Sequence, residues 1–384
     1  MKTPLAWHNL VHNRMRTAVA TAGVAFSVLL IFMQWGFLGS VQTTATMIYE
    51  SLDFDLAIRS KEYLHIAKPR SFSQSRLYQA NAVEGVESAA PFYVGMNQWR
   101  NPSQGTRHPL LVIGVDPKKP VFENEAIGDG TKLLVRDSAV LMDRECRSDF
   151  GPKEGEEFSD ADEGVESEIG VKRVDIVGCF RLGSGLTADG AAIVNADGFC
   201  RLYPGRTKDR VSLGLLKVSP GADSNVVAEQ LTAILPADVE VLPRERVIDL
   251  ETDRWVNDTP IGIIFQLGVG VAFVVGLAIV YQVLSADVAS HLSEYATLKA
   301  MGYSQTYLSS VVLTQACALA IIGFVPGLVS AYVLYWITGH IANIPMIMTT
   351  NRVGLVLGLA IAMCVISGMG ALQKSRSADP ADLF

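Results

Sequence analysis

Charge is scarce in this sequence, and its absences are concentrated. Residues 17–38, 261–285, 308–337 and 353–373 contain no Asp, Glu, Lys or Arg. About 20 apolar residues cross a bilayer core as helix, so each stretch is long enough to span. Ion-coupled carriers place ionisable residues at membrane depth. Here the polar side chains of the spans are limited to residues such as Gln34, Gln266, Gln282 and Gln315, which argues against an ion path. No G-x-x-x-x-G-K-[ST] is present, so the chain does not bind ATP through a P-loop. The Gly-rich run at 183–190 lacks the Lys and the apolar helix that such a loop needs, and it reads as a plain loop. G-x-S-x-G, H-E-x-x-H and C-x-x-C are missing as well. The six histidines are scattered, and paired acids such as Glu156 and Glu157 read as solvated charge. No catalytic residue, cofactor site or metal site is predicted.

Cysteine is also sparse. Cys317 and Cys364 fall inside spans, and Cys146, Cys179 and Cys200 fall between spans one and two. An odd number there argues against a disulfide framework, although one bridge stays open. A basic excess is lacking too. Residues 42–258 hold 25 Lys plus Arg against 35 Asp plus Glu, net −10, while the rest holds 7 against 4, net +3. That balance argues against nucleic acid as a partner.

What is there is a restrictive layout: one span, a long polar insert, then three spans. Lys2, Arg14 and Arg16 precede span one, and Lys374 and Arg376 follow span four. By the positive-inside rule both termini face the cytoplasm and the acidic insert lies outside. Span one is longer than the h-region of a cleaved signal peptide, so it is expected to stay. The expected division is an interfacial helix over 1–16, spans at 17–38, 261–285, 308–337 and 353–373, an extracytoplasmic α+β domain with stalk helices over 39–258, a cytoplasmic loop at 286–307, a short external loop at 338–352 and a tail at 374–384. The β-rich outer part of the domain is expected at about 116–204. Val41, Ala45, Ile48 and Leu52 recur at helical spacing, so span one should continue into the domain. A polar helix over 243–259 should run into span two.

The loop between spans two and three is the candidate functional site. Residues 291–301 read as a short helix stopped by Gly302, a favourable residue just past a helix end. Leu292, Tyr295 and Leu298 supply apolar surface, and Glu294 and Lys299 supply charge. A short helix between two spans can take force from a protein docked in the cytoplasm; a plain connector is the alternative.

At this loop the sequence EYATLKAMG (294–302) resembles the coupling helix of the MacB/FtsX-like ABC permeases. AWHNL at 6–10, with Asn13, Arg16 and Thr17, is similar to that family's entry into span one, and SADPADL at 377–383 is similar to its C-terminal tail. PRSFSQSRLY at 69–78, VESAAP at 86–91 and the SADPADLF ending resemble the DevC-like members. The resemblance implies a non-catalytic, homodimeric, multi-pass permease of the inner membrane. Its cytoplasmic partner would be a separate DevA-like ABC ATPase seated on Leu292, Glu294, Tyr295, Thr297, Leu298, Lys299, Met301 and Gly302. It further implies mechanotransmission to the external domain, an HlyD/DevB-like membrane fusion protein, a TolC-like duct, and a lipid or glycolipid substrate among membrane lipids. An FtsX-like signalling scaffold that activates an external cell-wall hydrolase without transport is the alternative that the same resemblance leaves open.

Overall fold

The computed structural model describes residues 14–147, 150–152, 157–183, 188–291, 297, 301–342 and 344–376. They form two compact units. One holds residues up to 39, 260–342 and 346 onward; the other holds 40–259 and 343–345.

The first helix, α1 (Arg14–Ser51), has 38 residues without a break. The stripe anticipated beyond the apolar run is real: Val41, Ala45, Ile48 and Leu52 are all buried. Thr44 and Thr46 do not interrupt the helix, because their hydroxyls donate to Ser40 O (2.8 Å) and Gln42 O (3.3 Å) one turn back.

The domain is built on a mixed sheet. Its strands are β1 (Leu56–Ser60), β3 (Val86–Arg100), β4 (Arg107–Val115), β5 (Ala139–Asp143), β6 (Glu166–Ile169), β7 (Lys172–Phe180), β8 (Gly190–Asn195), β10 (Leu213–Val218) and β11 (Val239–Pro243); β2 (Phe72–Ser73) and β9 (Arg210–Val211) pair separately. The order is β11-β1-β10-β3-β4-β8-β5-β7-β6, and β6 returns to the far end of β3 through Trp99 and Arg100. The 15-residue β3 therefore serves two sheets. Its first half pairs with β10, and its second half, from Tyr93, pairs with β4. The second half closes on itself, which removes the exposed edges an open sheet would carry.

Helices cover both faces. α2 (Ser75–Asn81) and α5 (Ser224–Ile234) bury Leu77, Ala80, Val227 and Leu231 on one face, joined by Phe199 of α4 (Ala196–Leu202). On the other face, Ile48, Tyr49 and Leu52 of α1 pack with Ile127 of α3 (Glu125–Thr131) and Val247 of α6 (Arg244–Asp253). A π-helical turn follows α6 at Arg254–Asp258, and Thr259 is extended. The expected continuous helix over 243–259 thus ends before the next one begins. Proline explains this: Pro260 disfavours helical backbone at Thr259, yet is well suited to a first helical position.

Three apolar helices complete the chain: α7 (Pro260–Ser290), α8 (Gln305–Ala342) and α9 (Thr350–Arg376). With α1 they make four helices long and apolar enough to cross a membrane, and the α+β domain lies between the first and second. Val24, Val28, Ile31 and Phe32 of α1 pack with Ala316, Ala320 and Phe324 of α8. Gly323 and Gly327 allow this approach: a Cβ at Gly327 would lie 2.8 Å from Ala25 O. Gly354 and Gly358 of α9 meet nothing within 4 Å. Helix α7 runs on to Ser290, so Asp287, read from sequence as part of the loop, sits on its last turn.

The cysteines are all unbridged. Cys146 is buried, its Sγ donates to Asp143 O at 2.8 Å, and burial raises its thiol pKa far above the ordinary value. It is an inert core thiol.

Candidate functional site

The loop singled out from sequence is described only at its flanks. Leu292, Glu294, Tyr295, Leu298 and Lys299 lie outside the described residues. Before them, α7 ends in a polar knot. Ser290 Oγ donates to Asp287 O (2.8 Å), His291 Nδ1 lies 3.0 Å from the same carbonyl, and Gln315 Nε2 of α8 lies 3.5 Å from Asp287 Oδ2. Asp287 O also accepts from His291 N at 3.2 Å, so this carbonyl gathers the last helical bond and the side chains that follow it. After them, Met301 N donates to Thr297 O at 3.0 Å, a one-turn helical bond. Gly302 follows at φ +92°, the left-handed conformation that ends a helix and that a side chain disfavours. Met301 and Tyr303 are exposed. Ser304 Oγ then accepts from Tyr307 N (3.3 Å), an N-cap bond that starts α8.

A second site, not anticipated from sequence, lies in the domain. Glu251 of α6 is 1% exposed yet fully engaged. Its Oε1 accepts from Ile66 N (2.9 Å) and Trp255 Nε1 (3.0 Å), and its Oε2 accepts from Tyr49 Oη (3.2 Å). Tyr49 Oη also meets Tyr63 Oη at 2.6 Å. The Arg59 guanidinium sits 5.1 Å from the Tyr63 ring centre and pairs with Glu240 at 2.6 Å. The His65 ring packs edge-on to Trp255 at 5.0 Å, and its Nδ1 has no hydrogen-bond partner among the described residues. At the other end of α6, Arg244 Nη2 reaches Glu50 O (3.1 Å) and Tyr49 O (3.5 Å). Helix α6 is thus tied at both ends to the last turn of α1.

Burial dominates the electrostatics of this joint. It raises the Glu251 carboxyl above its ordinary pKa, and the bonds from Ile66, Trp255 and Tyr49 pull only part of the way back. The Tyr63 hydroxyl is pushed up for the same reason, and the His65 imidazole is pushed down by burial, then by Lys68 and Arg254. Ile66, Trp255 and Tyr49 take three of the carboxylate's acceptor positions. Among the described residues no group of three or more His, Cys, Asp or Glu could hold a metal ion. The arrangement joins four chain segments. A sequence signal did exist: Val247, Glu251 and Trp255 recur every four residues, which puts a carboxylate on the apolar stripe of α6.

Residues 267–380 match the FtsX-like permease C-terminal family. That stretch takes in most of α7, all of α8 and α9, and the loop at 286–307. No curated protein sequence matches the chain. Among solved structures, the periplasmic region of MacB from Actinobacillus actinomycetemcomitans is similar at 12% identity and TM-score 0.36, over 53% of this chain and 94% of that one. The extracellular domain of the noncanonic ABC-type transporter YknZ from Gram-positive bacteria is similar at 15% identity and TM-score 0.32, over 49% of this chain and 98% of that one.

Proposed function

We propose that this chain is the membrane subunit of an ABC exporter of the MacB/FtsX-like kind, working as a homodimer with a separate cytoplasmic ATPase and catalysing nothing itself. The observation that carries the reading is the FtsX-like permease match over 267–380, which includes the loop at 286–307. The four-span layout with its α+β insert agrees with it. Both termini and that loop lie in the cytoplasm, and the acidic domain lies outside. The ATPase offers a groove to the short helix formed by Leu292, Glu294, Tyr295, Thr297, Leu298, Lys299 and Met301, with Gly302 ending it. ATP-driven closure of the paired ATPases pushes these helices and moves the external domain. In the DevC-like form of this reading, an HlyD-type fusion protein and a TolC-like duct complete the path for a lipid or glycolipid.

Reconstitution with the co-purified ATPase tests the proposal. Glu294→Lys is expected to abolish stimulation of ATP turnover by the full-length chain while its thermal midpoint stays put. Undiminished turnover overturns the docking assignment. Protease cleavage at 291–303 from the side on which the acidic domain is cut overturns the topology. Recovery of a murein hydrolase as the stoichiometric external partner, with no fusion protein, would shift the reading to a signalling scaffold.

A further inference from the structure

Between α2 and α5 the domain carries a groove of about 670 Å³. Helix α5 shows why it is there. Val227 and Leu231 are spent on the core, but a second stripe, Val226, Gln230 and Ile234, recurs every four residues and faces the groove. Val226 is 50% exposed and Ile234 60%, unusual for β-branched residues on a helix with its own buried face. Across the groove, α2 and the turn after it supply Ala82 and Val83.

The rim is acidic. Glu84 and Asp223 border the groove, with Glu87 and Glu229 nearby in sequence, and none of the four has an ion pair among the described residues. The neighbouring cations are spoken for. Arg76 pairs with Asp238 (3.2 Å), and Lys217 pairs with Asp53 (2.5 Å) and Asp55 (3.5 Å). Asp223 also caps α5, its Oδ1 accepting from Asn225 N at 2.8 Å, so Glu84 is the lining carboxylate left for a partner's charge. An apolar trough with helical walls and a negative rim is complementary to one kind of occupant. A third helix fits between two others by its apolar ridge, and Lys or Arg flanking that ridge would answer the carboxylates.

We propose that this groove is the docking site for a cationic amphipathic helix of an extracytoplasmic protein. The proposal rests on the topology given above, which puts the domain outside the cytoplasm. The test is photocrosslinking in intact cells with the full-length chain carrying benzoylphenylalanine at Val226 or Ile234. Val135 and Val171, exposed residues that do not line the groove, serve as control positions. The expected result is a protein adduct at the groove positions at least about tenfold above the controls, its crosslinked peptide carrying Lys or Arg beside apolar residues at helical spacing. Glu84→Lys should lower the adduct about five- to tenfold, the effect of reversing one rim charge, and Glu84→Gln should lower it less. An adduct with lipid, with a second copy of this chain or with a neutral or acidic peptide overturns the proposal. So does no adduct, or one indifferent to Glu84→Lys in a chain of unchanged thermal midpoint. An adduct with a cytoplasmic protein instead refutes the topology, which separates the two failures.

Discussion

Replacing Glu251 by alanine should loosen the end of α1 from the domain, and the size of the effect follows from its bonds. Alanine leaves two buried donors, Ile66 N–H and Trp255 Nε1–H, without an acceptor; Tyr49 Oη keeps Tyr63. An orphaned buried donor costs about 1–3 kcal/mol, so the pair costs about 2–6. Part is returned, because alanine also ends the cost of holding a carboxylate where burial raises its pKa. We expect a net loss of about 3 kcal/mol. Glutamine is the discriminating control. Its carboxamide oxygen can accept from Ile66 and Trp255 while its NH2 group donates to Tyr49 Oη, so the loss should stay below about 1 kcal/mol. The assay is hydrogen exchange of the full-length chain, read on peptides covering Ile66. About 3 kcal/mol corresponds to roughly 100-fold faster exchange of that amide. Equal exchange in Glu251→Ala and wild type, or equal loss in the alanine and glutamine variants, would refute the claim that the carboxylate holds the joint together.

Two further predictions concern the interior of each unit. Asp143 is fully buried and accepts from the amides of Glu145, Leu182 and Gly183, yet burial outweighs them and holds its pKa at about 6. Between the ordinary carboxylate value and about 6 the folded chain binds the extra proton, so this residue's contribution to stability grows as pH falls through that window and is lost as pH rises through 6. The difference in thermal midpoint between wild type and Asp143→Asn should therefore change between pH 4.5 and 7; a constant difference refutes the assignment. In the helical unit, Gly327→Ala would press a methyl on Ala25 O, a backbone atom, and should cost about 1–3 kcal/mol. Gly358→Ala meets open space and should be neutral or slightly stabilising in detergent melts.

The sequence made some of this legible and hid the rest for identifiable reasons. The four spans stood out because charge is costly in a bilayer, so its absence is informative over 20 residues or more. The extension of α1 was readable because Val41, Ala45, Ile48 and Leu52 mark one helical face. Strands such as β7 and β10 were readable from β-branched and apolar runs bounded by turns. β5 was not: AVLMD is short, buried throughout and without alternation. The acidic segment over 150–168 reads from sequence as an exposed loop or hairpin, and its end, β6, forms a hairpin with β7 around Gly170 at φ +64°. The joint at Glu251 was hidden most deeply. Its partner Tyr49 is 202 positions away, and a single Glu among 35 acids carries no local mark of burial beyond its place between Val247 and Trp255. The helix at 291–301 remains a reading of sequence, apart from the Thr297–Met301 bond and the turn at Gly302.

The two connections of the domain differ in their backbone. Helix α1 enters it as one uninterrupted helix, with no proline and with the Thr44 and Thr46 hydroxyls folded back on its own carbonyls. The exit is different. After Glu251 the chain makes a π-helical turn, which lets Trp255 reach back to the carboxylate, and then Thr259 adopts extended backbone before Pro260 opens α7. Glu251 and Arg244 fasten the segment before that break to the final turn of α1.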